Sequence, residues 1–173
     1  MGVIDSPFNP EHLKILPDVG RAINKFHDLG YLVIVVSNQP GLAKGKIKPE
    51  NFKKISVKMK KELKKDKAWI DGEYYCFHHP DGILKEYTQI CNCRKPKPGM
   101  ILQAAKEYDI RLNDSWMIGD SLTDIQAGQK AGCNTILIGR MKCDLCKLMQ
   151  EKNVKPDIIV PNLFKASLII EKS

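Results

Sequence analysis

No stretch of this sequence approaches the roughly 18 successive apolar residues that a membrane-spanning helix requires. The opening, MGVIDSPFNPEHLK, has neither the charged start nor the apolar core of a secretory signal. Repeats and low-complexity tracts are also missing, so no array or fibre is indicated. With 173 residues, 43% of them hydrophobic and 28% charged, the chain suits one globular domain with a real core. Those properties point to a cytoplasmic protein with no membrane association. Cysteine is sparse, six in all, and a chain of this size does not need disulfide staples, which favours a reducing compartment.

Aromatic residues are few where positive charge is dense. Lys and Arg exceed Asp and Glu by 28 to 20, a net charge of +8. Eight lysines lie between Lys53 and Lys67, around Phe52, Ile55, Met59 and Leu63 at helical spacing. That pattern reads as the solvated face of an amphipathic helix. No aromatic side chain interleaves these lysines to stack on bases, so nucleic acid is disfavoured as a partner. A phosphorylated small molecule would equally be drawn to a basic protein.

The most informative stretch is Tyr74 to Gly99, YYCFHHPDGILKEYTQICNCRKPKPG. Cys76-x-His78 and Cys91-x-Cys93 form two matched pairs around a short excursion, the four N/S donors that tetrahedral Zn2+ prefers. Zinc is favoured over ordinary core cysteines. The spacing is not that of a DNA-reading finger, because no helix carries a second histidine pair. The expected unit is a structural clip over residues 74–99 that fixes the basic segment Arg94-Lys95-Pro96-Lys97-Pro98 following it.

Taken in order, residues 1–16 read as an irregular lead-in. Pro17 to Leu29 reads as a helix closed by Gly30, and Tyr31 to Val36 as a buried strand stopping at Ser37-Asn38-Gln39-Pro40-Gly41. A flexible loop from Gly41 to Lys48 leads to the lysine-faced helix, which begins near Pro49. Glu73 to Phe77 is a short strand. A helix from Pro98 to Tyr108, a strand Trp116 to Ile118 ending in Gly119-Asp120, a helix Leu122 to Ala131 closed by Gly132, and a strand Asn134 to Ile138 follow. Asp157 to Val160 is a last strand, and a helix from about Asn162 to Glu171 ends the chain. Strand, polar turn and helix in alternation indicate a doubly wound α/β domain with a mainly parallel sheet and helices on both faces. Ser37-Asn38, Arg94-Lys95 and Asp120 would then converge at one edge, where open α/β sheets place ligands.

Asp120 and Asp124 stand at i, i+4 after an apolar strand. Such carboxylates suit Mg2+, which takes one or two protein oxygens plus a phosphate; helix capping is the competing reading. Gly119 before Asp120 allows close approach and favours the metal. Ser37 and neighbouring amides would bond phosphoryl oxygens, and Lys95 would neutralise charge in phosphoryl transfer. Cys143-x-x-Cys146 reads as a helix-face thiol pair, and Cys133 as packing.

Three segments, SNQPGLAKG at 37–45, CFHH…CNCRKPKPG at 76–99 and GDSLTDIQAGQKAG at 119–132, carry a resemblance from Pro7 onward. They resemble the haloacid dehalogenase (HAD) superfamily, in the branch of heptose 1,7-bisphosphate and histidinol-phosphate phosphatases. The resemblance implies a Rossmann-like sheet with no large cap domain. It also implies a Mg2+-dependent monomeric phosphatase of a small phosphorylated sugar or related metabolite, working through an aspartyl phosphate. It makes Ser37 the phosphate-binding residue, Lys95 the catalytic lysine and Asp120 the Mg2+ ligand, with Asp124 in support. Asn38 and Arg94 match substrate-contacting positions, and Cys76, His78, Cys91 and Cys93 match structural Zn2+ ligands. With no cap, specificity is expected in the loop 41–48 and the zinc loop. Competing readings are a histidinol-phosphate phosphatase, a DNA 3′-phosphatase, which shares the N-Q-x-G-x-x-x-G turn, and an inactive zinc-stabilised phosphate-binding protein.

One departure matters. The family's first motif, Asp-x-Asp after an apolar strand, is absent, and with it the nucleophile, the proton donor and one Mg2+ ligand. Asp5 cannot replace it. The sequence is expected to begin downstream of that motif, through a misassigned initiation codon or a truncated gene, lacking roughly 15 to 25 residues. That first strand is central in the family's sheet, so its loss is expected to leave two half-sheets with unpaired edges.

Overall fold

Parallel strands cannot be joined by a tight turn and need a crossover, most often a helix. Among the described residues every strand pair is parallel, and every connection between paired strands carries a helix. The computed structural model describes residues 7–140 and 143–173, which divide into two compact units, one ending at Cys91 and the other beginning at Asn92. Among the described residues no helix is long and apolar enough to cross a membrane.

In the first unit, α1 (Val19–Asp28) leads to β1 (Ile34–Asn38), and α2 (Pro49–Lys65) crosses over to β2 (Gly72–Cys76). β1 and β2 pair from Ile34 with Gly72 to Asn38 with Cys76. The α2 stripe serves two cores. Leu63 and Met59 join Ile23, Ala68 and Val19, whereas Ile55 and Phe52 join Leu42, Ile47 and Phe77. The lysines between them keep to the solvent side, as an amphipathic helix requires.

Three sequence expectations change here. β1 starts three residues later than the apolar run, because the Tyr31 amide caps α1 by donating to the Phe26 carbonyl, after Gly30 turns left-handed (φ 82°). Ser37 and Asn38 belong to the strand instead of the turn after it. The segment 41–48 is not a loose loop. Leu42, Ala43 and Ile47 are buried, and amides of Lys44, Gly45 and Lys46 close on carbonyls of Pro40, Leu42 and Gly41. The lead-in contains a 3-10 turn, Pro10–His12, capped by Asn9; residues 1–6 of it lie outside the described residues.

The C-terminus of α2 ends in a Schellman turn. The Lys67 amide donates to Lys64 and the Ala68 amide to Leu63, with Lys67 at φ 56°. Glycine usually holds that position, and an L-residue there costs about 1 kcal/mol. Asp71, just beyond, binds the unit together. Its carboxylate accepts from the Val33 amide (2.7 Å), the Trp69 indole N–H (3.0 Å) and His27 Nε2 (2.9 Å).

The second unit runs α3 (Gly99–Tyr108), β3 (Trp116–Gly119), α4 (Leu122–Ala131), β4 (Asn134–Ile138), α5 (Cys143–Glu151), β5 (Ile158–Val160) and α6 (Leu163–Ile170). The sheet order is β3-β4-β5. α4 lies directly on β3 and β4, with Gly128 facing Met117 and Thr135 so closely that a Cβ would collide. Leu122, Ile125, Leu137 and Val154 form the core, with Leu145 and Met149 of α5 packed against it. Of the thiol pair expected on a helix face, Cys146 is half-buried on α5, and the Cys143 side chain lies outside the described residues. Half-burial raises the Cys133 thiol pKa to about 11, as befits packing rather than reactivity.

The class is the parallel α/β expected, and no large cap domain is present among the described residues. Among the described residues the strands form two sheets, β1-β2 and β3-β4-β5, rather than the one sheet expected.

Burial alone would raise the Asp71 pKa, but the bonds from Val33, His27 and Trp69 outweigh it and hold the carboxyl below its ordinary 3.8. A depressed folded-state pKa stabilises above the unfolded value and is lost as pH falls through the folded one. Asp71→Asn is therefore expected to cost about 1 to 3 kcal/mol at pH 7. In urea melts the gap should close progressively below about pH 4.

Candidate active site and metal centre

Lys95 and Asp124 form the most buried ion pair of the second unit, with Lys95 Nζ 2.7 Å from Asp124 Oδ1 and side chains only 10% and 7% exposed. Two local devices hold them. Lys95 sits in a turn where the Lys97 amide donates to the Arg94 carbonyl and the Gly99 amide to Asn92. Gly99 is needed there because a Cβ would strike the Asn92 carbonyl. Arg94 is the neighbouring residue in the same turn.

Asp124 is the third residue of α4 and completes a capping box. Its Oδ2 accepts from the Ser121 amide (3.0 Å), and Ser121 Oγ accepts from the Thr123 amide (3.2 Å). Each carboxylate oxygen thus already has a partner. Gly119 has a reason other than the one read from sequence: a Cβ there would run into the Asp124 side chain. Ser121 was the residue overlooked, although Ser-x-x-Asp before an apolar helix is a legible capping signal.

Asp120, between β3 and that cap, is exposed, and no hydrogen bond or ion pair ties it among the described residues. A free carboxylate at the C-terminal end of a parallel strand is open to a cation and its ligand.

In the first unit Ser37 and Asn38 end β1, opposite Tyr75 and Cys76. Ser37 Oγ accepts from Gln39 Nε2 (3.0 Å), and the Gln39 amide continues the ladder to the Cys76 carbonyl (2.7 Å). Gln39 is a second residue the sequence reading left without a role.

Cys76, His78, Cys91 and Cys93 bring their ligand atoms within 4.8 Å of one another. Cys76 Sγ lies 3.5 Å from Cys91 Sγ and 3.9 Å from His78 Nδ1, far too long for a disulfide. The edge of a tetrahedron with zinc-to-sulfur bonds of about 2.3 Å is about 3.8 Å, so the donors fit a single ion. Cys76 is fully buried, while His78, Cys91 and Cys93 are half-buried. Between the pairs, the His79 amide reaches the Tyr87 carbonyl (3.1 Å) and closes the excursion.

Residues 92–166 match the HAD-hydrolase-like family. A D-glycero-beta-D-manno-heptose-1,7-bisphosphate 7-phosphatase of Haemophilus ducreyi is 39% identical over 131 residues, 75% of this chain and 71% of its own. The D-glycero-alpha-D-manno-heptose-1,7-bisphosphate 7-phosphatase of Photorhabdus laumondii is 36% identical, covering 86% of this chain and 79% of its own. Among solved structures, the D,D-heptose 1,7-bisphosphate phosphatase of B. bronchiseptica, complexed with magnesium and phosphate, superimposes with a TM-score of 0.81 at 27% identity, over 96% of this chain and 89% of that one. The fold and site define a HAD-like hydrolase. Within that class the chain belongs to the family of the heptose-1,7-bisphosphate 7-phosphatases.

Removing one partner of a buried ion pair leaves the other charge uncompensated. Asp124→Asn keeps a side-chain oxygen for the Ser121 amide but should cost about 3 kcal/mol in denaturant melts. Adding Lys95→Met to it should recover most of that loss.

Proposed function

We propose that the protein is a Mg2+-dependent phosphatase that removes the 7-phosphate of D-glycero-D-manno-heptose 1,7-bisphosphate. The similarity to the Haemophilus ducreyi enzyme, spanning 71% of that protein, carries the reading. The magnesium and phosphate bound by the B. bronchiseptica relative support the choice of metal.

In this reading the Ser37 hydroxyl donates to a phosphoryl oxygen, while Asn38 and Arg94 contact the sugar phosphate. Lys95, oriented by Asp124, lies against the transferring group and offsets the charge that grows on its oxygens. Asp120 is the carboxylate that would hold Mg2+, which supplies further neutralisation of the phosphoryl group when bound. Asp124 acts mainly through Lys95, since both its oxygens are already accepting. Attack by a carboxylate on phosphorus breaks the bond to the C7 oxygen, and water then releases the enzyme carboxylate and inorganic phosphate. No Asp-x-Asp pair occurs among these 173 residues, so the attacking carboxylate and its acid/base partner are assigned to none of them.

The four-donor group 76, 78, 91 and 93 is assigned to Zn2+ in a structural role, ordering the loop that leads into Arg94 and Lys95.

The purified full-length protein should release phosphate from the 1,7-bisphosphate with Mg2+. Both anomers need assay, with histidinol phosphate as the control substrate. Asp120→Ala and Lys95→Ala should each lower kcat about 100-fold or more. No phosphate release by the full-length protein would sink the proposal in favour of a phosphate-binding protein without turnover.

Elemental analysis should find zinc bound in equal stoichiometry to the chain. Cys91→Ser should lose it and lower the melting temperature. Full zinc occupancy in that variant would refute the site.

A further inference from the structure

Trp69 follows the lysine run of α2 directly, two residues past Lys67, and the fold sets the two side by side. A cleft of ≈ 470 Å³ is lined by Lys60, Lys64, Lys67, Ala68, Trp69 and Ile70. Its volume falls in the range of small-molecule sites, about 300 to 1,000 Å³. We propose that this cleft binds a nucleotide, whose base stacks on Trp69 and whose phosphates pair with the lysines.

Trp69 is built as a platform. His27 stacks on it at 3.9 Å with the ring planes 8° from parallel, and the Trp69 Nε1–H donates to Asp71 Oδ1. Asp71 in turn is anchored by the Val33 amide. The indole is thus immobilised before any ligand arrives, yet the residue remains 55% exposed. Tryptophan so fixed and so open is unusual, because large aromatic residues are highly buried on average. A pre-ordered ring loses little freedom when a second ring stacks on it.

The cations around it are also arranged at a cost. Lys60 and Lys64 stand at i, i+4 on α2, a spacing at which like charges repel. Lys67 occupies the left-handed Schellman position that glycine fills with less strain. Glu73 pairs with Lys60, and no ion pair engages Lys64 or Lys67 among the described residues. Compensation of the helix carbonyls would account for positive charge at this end. It accounts neither for the held, exposed indole nor for lysine at the glycine position. An anion carrying a flat ring satisfies all of these features together. The ring and phosphates could belong to a free nucleotide or to single-stranded nucleic acid, which present the same chemistry.

The test is titration of ATP into the full chain at low ionic strength, followed by tryptophan emission. Saturable quenching is expected, and it should vanish in Trp69→Phe, where only Trp116 emits. Lys67→Gly should bind about tenfold more weakly while its thermal midpoint holds or rises, because glycine suits that backbone. Adenosine alone and tripolyphosphate alone should each bind at least about tenfold more weakly than ATP. A short deoxyadenosine oligonucleotide titrated in parallel identifies the source: tighter binding than ATP assigns the site to single strands, weaker binding to free nucleotide. Tripolyphosphate matching ATP, quenching that survives Trp69→Phe, or undiminished affinity in Lys67→Gly overturns the proposal.

Discussion

A carboxylate out of water must be answered on every oxygen, and the second unit is arranged around one such answer. Asp124 takes the Ser121 amide on one oxygen and the Lys95 ammonium on the other. The first bond starts α4 at a fixed point, directly after β3. The second draws in the 92–99 turn, so the lysine's position follows from where the helix begins. Gly119 exists to make room for this side chain, and Gly128 to bring α4 down onto β3 and β4. One ion pair thereby links helix start, strand end and basic turn, leaving Asp120 outside the network and available.

How far the sequence could be read depended on whether the deciding contacts were local. α4 and β4 begin and end where expected, because Ser121, Asp124 and Gly132 are signals within the segment itself. β1 was displaced because its limits are set by β2 and by the tail of α1, and an apolar run does not announce its partner. The 41–48 segment was misjudged for a related reason. Its glycines and lysines suggest mobility, but Leu42 and Ile47 fill a core with Phe8, Leu13, Ile55 and Phe77. Residues 8 to 39 positions away in sequence fix it.

Candidates for the site were easier to name than its construction. The residue types and order suggest phosphate, lysine and carboxylate positions, since those are chemical requirements written in single letters. The partners were harder. Gln39 beside Ser37, Ser121 beside Asp124 and the coupling of Asp124 to Lys95 depend on rotamers and distances that spacing alone does not encode. The Cys76–Cys93 donor cluster was the exception, because the C-x-H and C-x-C pairs state both the donors and their closeness.

The carbonyl of Ala43 accepts from two successive amides, Ile83 (2.8 Å) and Leu84 (3.1 Å). A Cβ on Gly82 would meet Ala43 and Thr88, and one on Gly45 would meet Ile83. The turn after β1 and the tip of the cysteine-bounded loop are therefore a single mechanical part. Changes in length or shape on one side must be matched on the other, so these two segments are constrained to diverge together between relatives. Grafting either one alone into another scaffold would carry over its letters but not its shape.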